Sequence, residues 1–139
     1  MKDGARAILV LFVVWAGCPG CRSSNRPPYY TVCMKNETEA LIRGTEVLFG
    51  SNSMGGGSLR PGGLAFYHGV PVHVPEKARV VWKSEDGQQH EKEVEVLRLM
   101  PSRMNEITVF FVIKKDGSVV VTPLTEKEME QHKYPYGDN

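Results

Sequence analysis

The chain has 139 residues, with 17 Lys plus Arg against 16 Asp plus Glu, a formal net charge of +1 and 41% hydrophobic residues. A chain of this size has room for one domain, typically about 100–150 residues, and no second core. Balanced charge lacks the basic excess on one face that phosphate-backbone binding requires, so no nucleic-acid partner is expected.

Met1 to Arg6 holds Lys2, Asp3 and Arg6, and an unbroken apolar run from Ala7 to Ala16 follows. This is the layout of an export signal. A run of about ten residues is too short to cross roughly 30 Å of hydrocarbon as a helix, which takes about 20. The run ends in Ala16-Gly17-Cys18, which resembles the lipobox of bacterial lipoproteins, with Trp15 where an aliphatic residue is usual. The resemblance implies cleavage after residue 17, a thioether-linked diacylglycerol on Cys18 and an acylated amine. Acyl chains contribute about 0.8 kcal/mol per buried methylene, so two or more hold a domain stably at a membrane. Pro19 in place of Asp after the cysteine implies, again by resemblance, the outer membrane facing the periplasm. Cys21 is a second candidate for the lipid, and an ordinary secretory signal or an uncleaved anchor is the plain alternative. Removing residues 1–17 takes away Lys2, Arg6 and Asp3, leaving 15 basic and 15 acidic side chains.

Apart from Cys18 and Cys21, residues 18–28 are Gly, Ser, Arg, Asn and Pro, with little that is apolar, the composition of a flexible lipidated tether. The folded part is expected over 29–124. Strands are predicted at Tyr29–Met34, Ala40–Phe49, Leu64–Val70, Ala78–Lys83, Gln89–Leu97, Ile107–Lys114 and Val119–Pro123, from β-branched and aromatic runs bounded by turn residues. Asn36-Glu37-Thr38 is a glycosylation sequon in a secreted eukaryotic protein; here it reads as turn chemistry. Asp86-Gly87 and Asp116-Gly117 predict two hairpins, because glycine after Asp takes positive φ at low cost. Ala78, Val80 and Trp82 alternate with Arg79, Val81 and Lys83, giving one face to bury and one to wet. Ile107, Val109, Phe111 and Ile113 on one face, with Phe110 and Val112 on the other, mark a central strand covered on both sides. Glu126–Lys133 reads as a frayed polar turn in a C-terminal tail, 125–139. About seven short strands favour an all-β fold, a small antiparallel, immunoglobulin-like β-sandwich.

No catalytic site is predicted. Gly50–Gly63, reading GSNSMGGGSLRPGG, lacks the Lys-Ser/Thr and following helix of a phosphate-binding loop. It also lacks the glycine pair that frames a nucleophile elbow, since Ser53 has Gly55 on one side and Ser51 on the other. His68, His73, His90 and His132 show no metal-ligand spacing, so no metal or cofactor is expected. Glu91, Glu93 and Glu95 alternate around Lys92 as a solvated face does. Cys21 and Cys33 would pair in an oxidising compartment if geometry allowed; equally, Cys33 could be a small buried hydrophobe. What remains is binding. Ser53, Met54 and Arg60 on a projecting loop, and Tyr134 and Tyr136 in an aromatic tail, are the candidate contacts.

Gly55-Gly56-Gly57, Arg60-Pro61-Gly62, Pro75-Glu76-Lys77-Ala78 running into Val80-Val81-Trp82, and Asp86-Gly87 resemble a group of small bacterial lipoproteins encoded beside type VI secretion effectors, phospholipases among them. The resemblance spans about residues 47–97. It implies an immunity protein that occludes a toxin from the periplasmic side, which needs a complementary surface and no reacting group. The alternative is a structural or ligand-binding envelope lipoprotein. An anchored hydrolase would need a nucleophile and base that the sequence does not offer.

Overall fold

A computed structural model describes residues 28–132. Eight strands, β1 (Tyr30–Asn36), β2 (Ile42–Phe49), β3 (Asn52–Leu59), β4 (Leu64–Val70), β5 (Lys77–Lys83), β6 (Gln89–Glu95), β7 (Ile107–Ile113) and β8 (Val119–Thr125), precede a short helix α1 (Glu126–Gln131). They form two four-stranded sheets, ordered β4-β1-β7-β8 and β3-β2-β5-β6. All pairs are antiparallel except β1 with β7, which run parallel. The all-β sandwich is therefore the architecture of this chain. An immunoglobulin constant-type domain pairs its first strand with its second, whereas β1 here lies between β4 and β7, so the likeness is one of architecture and not of strand order.

Period-two alternation builds the core between the sheets. Val32 and Met34 of β1, Val47 and Phe49 of β2, Ala78, Val80 and Trp82 of β5, and Val109 and Phe111 of β7 all point into it and are buried. The Phe49 and Phe111 rings meet across the sheets with centroids 6.1 Å apart. Every residue of β7 is buried, because its other face has a cover of its own. Cys33, Phe110, Val112 and Met129 make a second cluster there, flanked by Leu64, Phe66 and Leu124.

Met129 comes from α1, and this corrects the expectation of a frayed turn. Thr125 and Glu128 form a capping box: Glu128 N–H donates to Thr125 Oγ1 at 3.3 Å, and Thr125 N–H to Glu128 Oε2 at 2.7 Å. Six residues of helix are marginal in water unless capped and docked, and α1 is both. Residues 125–131 thus pack with the domain rather than trailing from it. Among the described residues no helix is long and apolar enough to cross a membrane.

The hairpin turns follow their sequence. Asp86 Oδ1 accepts from Gln88 N–H at 3.0 Å and Asp116 Oδ1 from Ser118 N–H at 2.9 Å, and hydroxyls of Ser84 and Ser118 add to these bonds. These donors hold both carboxyls below the usual range. Asn36 does more than turn the chain. Fully buried, its side chain donates to Ala40 O at 2.8 Å and Leu59 O at 3.0 Å, and accepts from Thr38 N–H at 2.8 Å. Its backbone binds Gly62 and Gly63. One residue, through side chain and backbone, thereby ties the β1–β2 crossover to the end of β3 and the β3–β4 turn.

Candidate interaction surface

The loop expected at Ser53–Arg60 is strand β3. Glycine hides it: three of its eight residues carry no side chain, and its place comes from β2. Thr45, itself buried, donates its hydroxyl to Gly57 O at 3.0 Å. Thr45 stands opposite Gly57 and Glu46 opposite Gly55, so Gly56 is an extra residue, a bulge. Gly55, at φ +139, lies so close to β2 that a Cβ would come within 2.0 Å of Thr45 O. Glycine is required there by contact as well as by conformation.

The candidate residues scatter over this strand. Ser53 is exposed and donates to Glu46 Oε2 at 2.8 Å. Met54 is half-buried and packs on the core. Arg60 is exposed in the turn to β4, where its carbonyl accepts from Gly63 N–H at 2.8 Å. Cys33 is a free, fully buried thiol that burial pushes up to about 12, as expected of a small hydrophobe. Cys18, Cys21, Tyr134 and Tyr136 lie outside the described residues.

The histidines and carboxylates do not converge. His90 stacks on Trp82 at 5.2 Å with Nε2 3.1 Å from Ser84 Oγ, and His68 stacks on Phe66 at 5.9 Å with Nδ1 3.2 Å from Thr31 Oγ1. Glu91 and Glu93 pair with Arg79 and Lys77 across the hairpin, and Glu95 with Arg98. These are exposed ion pairs of small energetic weight. Among the described residues no group of three or more His, Cys, Asp or Glu could hold a metal ion, and every buried side-chain N or O has a hydrogen-bond partner.

What the fold does create, and strand spotting alone missed, is an asymmetry between its two open sides. Each sheet ends in two edge strands, β4 and β8 in one, β3 and β6 in the other. Edges expose unpaired backbone groups, and proteins guard them with inward charges or proline. β6 carries such a charge: Lys92 stands opposite Val80, on the core side of its strand. β8 carries Pro123. β3 and β4, which lie against each other, have neither; between Asn52 and Leu59, and between Leu64 and Val70, there is no Lys, Arg, Asp, Glu or Pro. Lys92 and Pro123 are the signal in the sequence that could have shown the guarded side, and with it the open one.

On the core side of this open edge, Met54, Ala65 and Tyr67 are only partly buried, though buried enough to hold the Tyr67 phenol above the usual tyrosine range. Gly57 contributes nothing to cover them: a Cβ built on it meets nothing within 4 Å.

No family model matches the chain, and no curated protein matches it. Among solved structures it is similar to an NMR structure of a protein from Eubacterium rectale, with 14% sequence identity and a TM-score of 0.50, over 78% of this chain and 98% of the other. At that identity the likeness extends to the fold alone: this chain shares its β architecture with a bacterial protein.

Proposed function

We propose that this chain is a non-catalytic binding module, an immunity protein that covers an antibacterial effector. In this reading a diacylglycerol on Cys18 holds it at the periplasmic face of a bacterial outer membrane. The observation that carries the reading is the neutral, unguarded β3/β4 side, set against a β6/β8 side defended by Lys92 and Pro123. A domain whose histidines and carboxylates are dispersed, and which leaves one side open to a partner, suits occlusion. The Gly-rich stretch behind the resemblance to effector-linked lipoproteins is the same β3 strand.

Two linked measurements test this. Mass spectrometry of the membrane-fraction protein, beside a Cys18→Ser variant, should show loss of residues 1–17 plus diacylglycerol and an amide-linked acyl chain in the parent only. Where an effector gene adjoins the gene for this chain, cells exporting that effector should then survive with the parent and die without it. An unlipidated chain would remove the anchor from the proposal, and death of cells carrying the parent would remove the immunity role.

A further inference from the structure

The open edge has a chemistry of its own, and the inference drawn from it rests on the binding-module reading. We propose that β3 is a strand-addition site. An extended, uncharged segment of a partner protein, apolar at every second residue, pairs with Asn52–Leu59 and lays those side chains over Gly57 against Met54, Ala65 and Tyr67.

Three observations lead there. First, among the described residues β2 is the only strand paired with β3, so apart from Leu59 O, which accepts from Asn36, its outer backbone groups form a template for another strand. Second, the core side of the edge is incomplete. Thr45, opposite Gly57, is buried, so a side chain at Gly57 would face inward, yet the space it would take is empty. An incoming strand places its alternate side chains on that same face, where Ala65 and Tyr67, opposite the core residues Met34 and Val32, are half-covered. Third, β3 itself has no charged residue, the Glu46 carboxylate that Ser53 binds belonging to β2, whereas the distant edge strand carries Lys92 among glutamates, so a neutral strand is discriminated by position.

A second copy of the chain does not fit this site. Two β3 strands paired with each other would set glycine against glycine and bulge against bulge. The occupant has to bring the side chains that β3 lacks.

The test uses the 15N-labelled full chain and a seven-residue peptide of alternating threonine and valine. The peptide is N-methylated along one edge, so that it can pair through the other only. Amide shifts and slowed exchange should concentrate on residues 52–59. Gly57→Lys, which has ordinary φ and free space and so should melt like the parent, should weaken binding about tenfold or more, equivalent to about 1.4 kcal/mol. Gly57→Ala should bind, and Ser102→Lys, the same charge on an exposed loop, should change nothing. Absence of shifts, shifts centred on β6 or β8, or equal binding of a peptide methylated on both edges would overturn the inference. Concentration-dependent shifts of β3 without peptide would make the occupant a second copy and also overturn it. Gly57→Lys that still protects cells from the toxin sinks strand addition and leaves the immunity reading intact; peptide pairing at β3 in a chain that protects nothing does the reverse.

Discussion

Three adjacent glycines in β3 should respond differently to the same substitution. In Gly55→Ala the new methyl would lie 2.0 Å from Thr45 O and 2.7 Å from Glu46 Cα, both backbone atoms of β2 that cannot rotate away. Overpacking costs about 1–3 kcal/mol, and a φ of +139 adds about 1–2 kcal/mol for an L-residue. Replacing glycine returns about 0.5–1 kcal/mol of chain entropy, leaving a net loss of about 1–4.5 kcal/mol. At about 4–8 °C per kcal/mol for a domain near this size, Tm should fall by at least about 4 °C. Gly56, at φ +99 with nothing within 4 Å, carries only the conformational part, so Gly56→Ala should lose about 1 kcal/mol. Gly57, with ordinary φ and open space, should hold or gain up to about 0.5 kcal/mol as Ala. Urea unfolding followed by circular dichroism and by the fluorescence of buried Trp82 measures all three. Gly55→Ala within about 0.5 kcal/mol of the parent, or a reversed order, would refute the close approach of β3 to β2.

Other expectations rest on single side chains. Asn36→Ala strands the carbonyls of Ala40 and Leu59 and the amide of Thr38, and should lower unfolding free energy by about 2–4 kcal/mol in urea. Met129→Ala opens the second cluster and should cost about 2–5 kcal/mol; peptide mapping after thiol labelling should find Cys33, inert in the parent at neutral pH, labelled faster in the variant. Glu37 lies between Lys114 and Lys35, and their hydrogen bonds hold its carboxyl below the ordinary value of 4.5. A depressed folded-state pKa means this stabilisation is complete above the unfolded value and is lost as pH falls through the folded one. Acid titrations of stability should therefore be flatter below pH 4.5 in Glu37→Gln than in the parent; superimposable curves would count against the ion pair.

Legibility followed side-chain content. β4 is found at its predicted bounds, Leu64–Val70, and β1, β2, β5, β7 and β8 within a few residues of theirs, because β-branched and aromatic residues declare a strand on their own. β3 does not, since Gly55–Gly57 are strand residues only through Thr45, Glu46 and the close approach of β2. α1 was concealed by polarity, although Thr125 and Glu128 spell a capping box and Met129 is the apolar residue it delivers. Strand order was beyond reach: alternation in β1 and β7 says that both are buried, and nothing in either says that they are parallel neighbours. For the candidate surface, the sequence named Ser53, Met54 and Arg60 as a loop tip, while Ser53 and Met54 belong to an edge strand and Arg60 to the turn that follows it.

The parallel pairing of β1 with β7 also dictates when the domain can form. Thr31 meets Thr108 and Asn36 meets Ile113, so the middle of one sheet waits for residues near the end of the chain. Such non-local closure is slow, on the order of milliseconds to seconds. Glu37 and Glu39 of the first crossover meet Lys114 and Lys115 only at that moment. Until Ile107–Ile113 arrives, β1 can pair with β4 alone and shows a bare hydrophobic flank. The domain therefore cannot close until β7 is present, and a translation product ending before β7 is material for a protease rather than a smaller version of the domain.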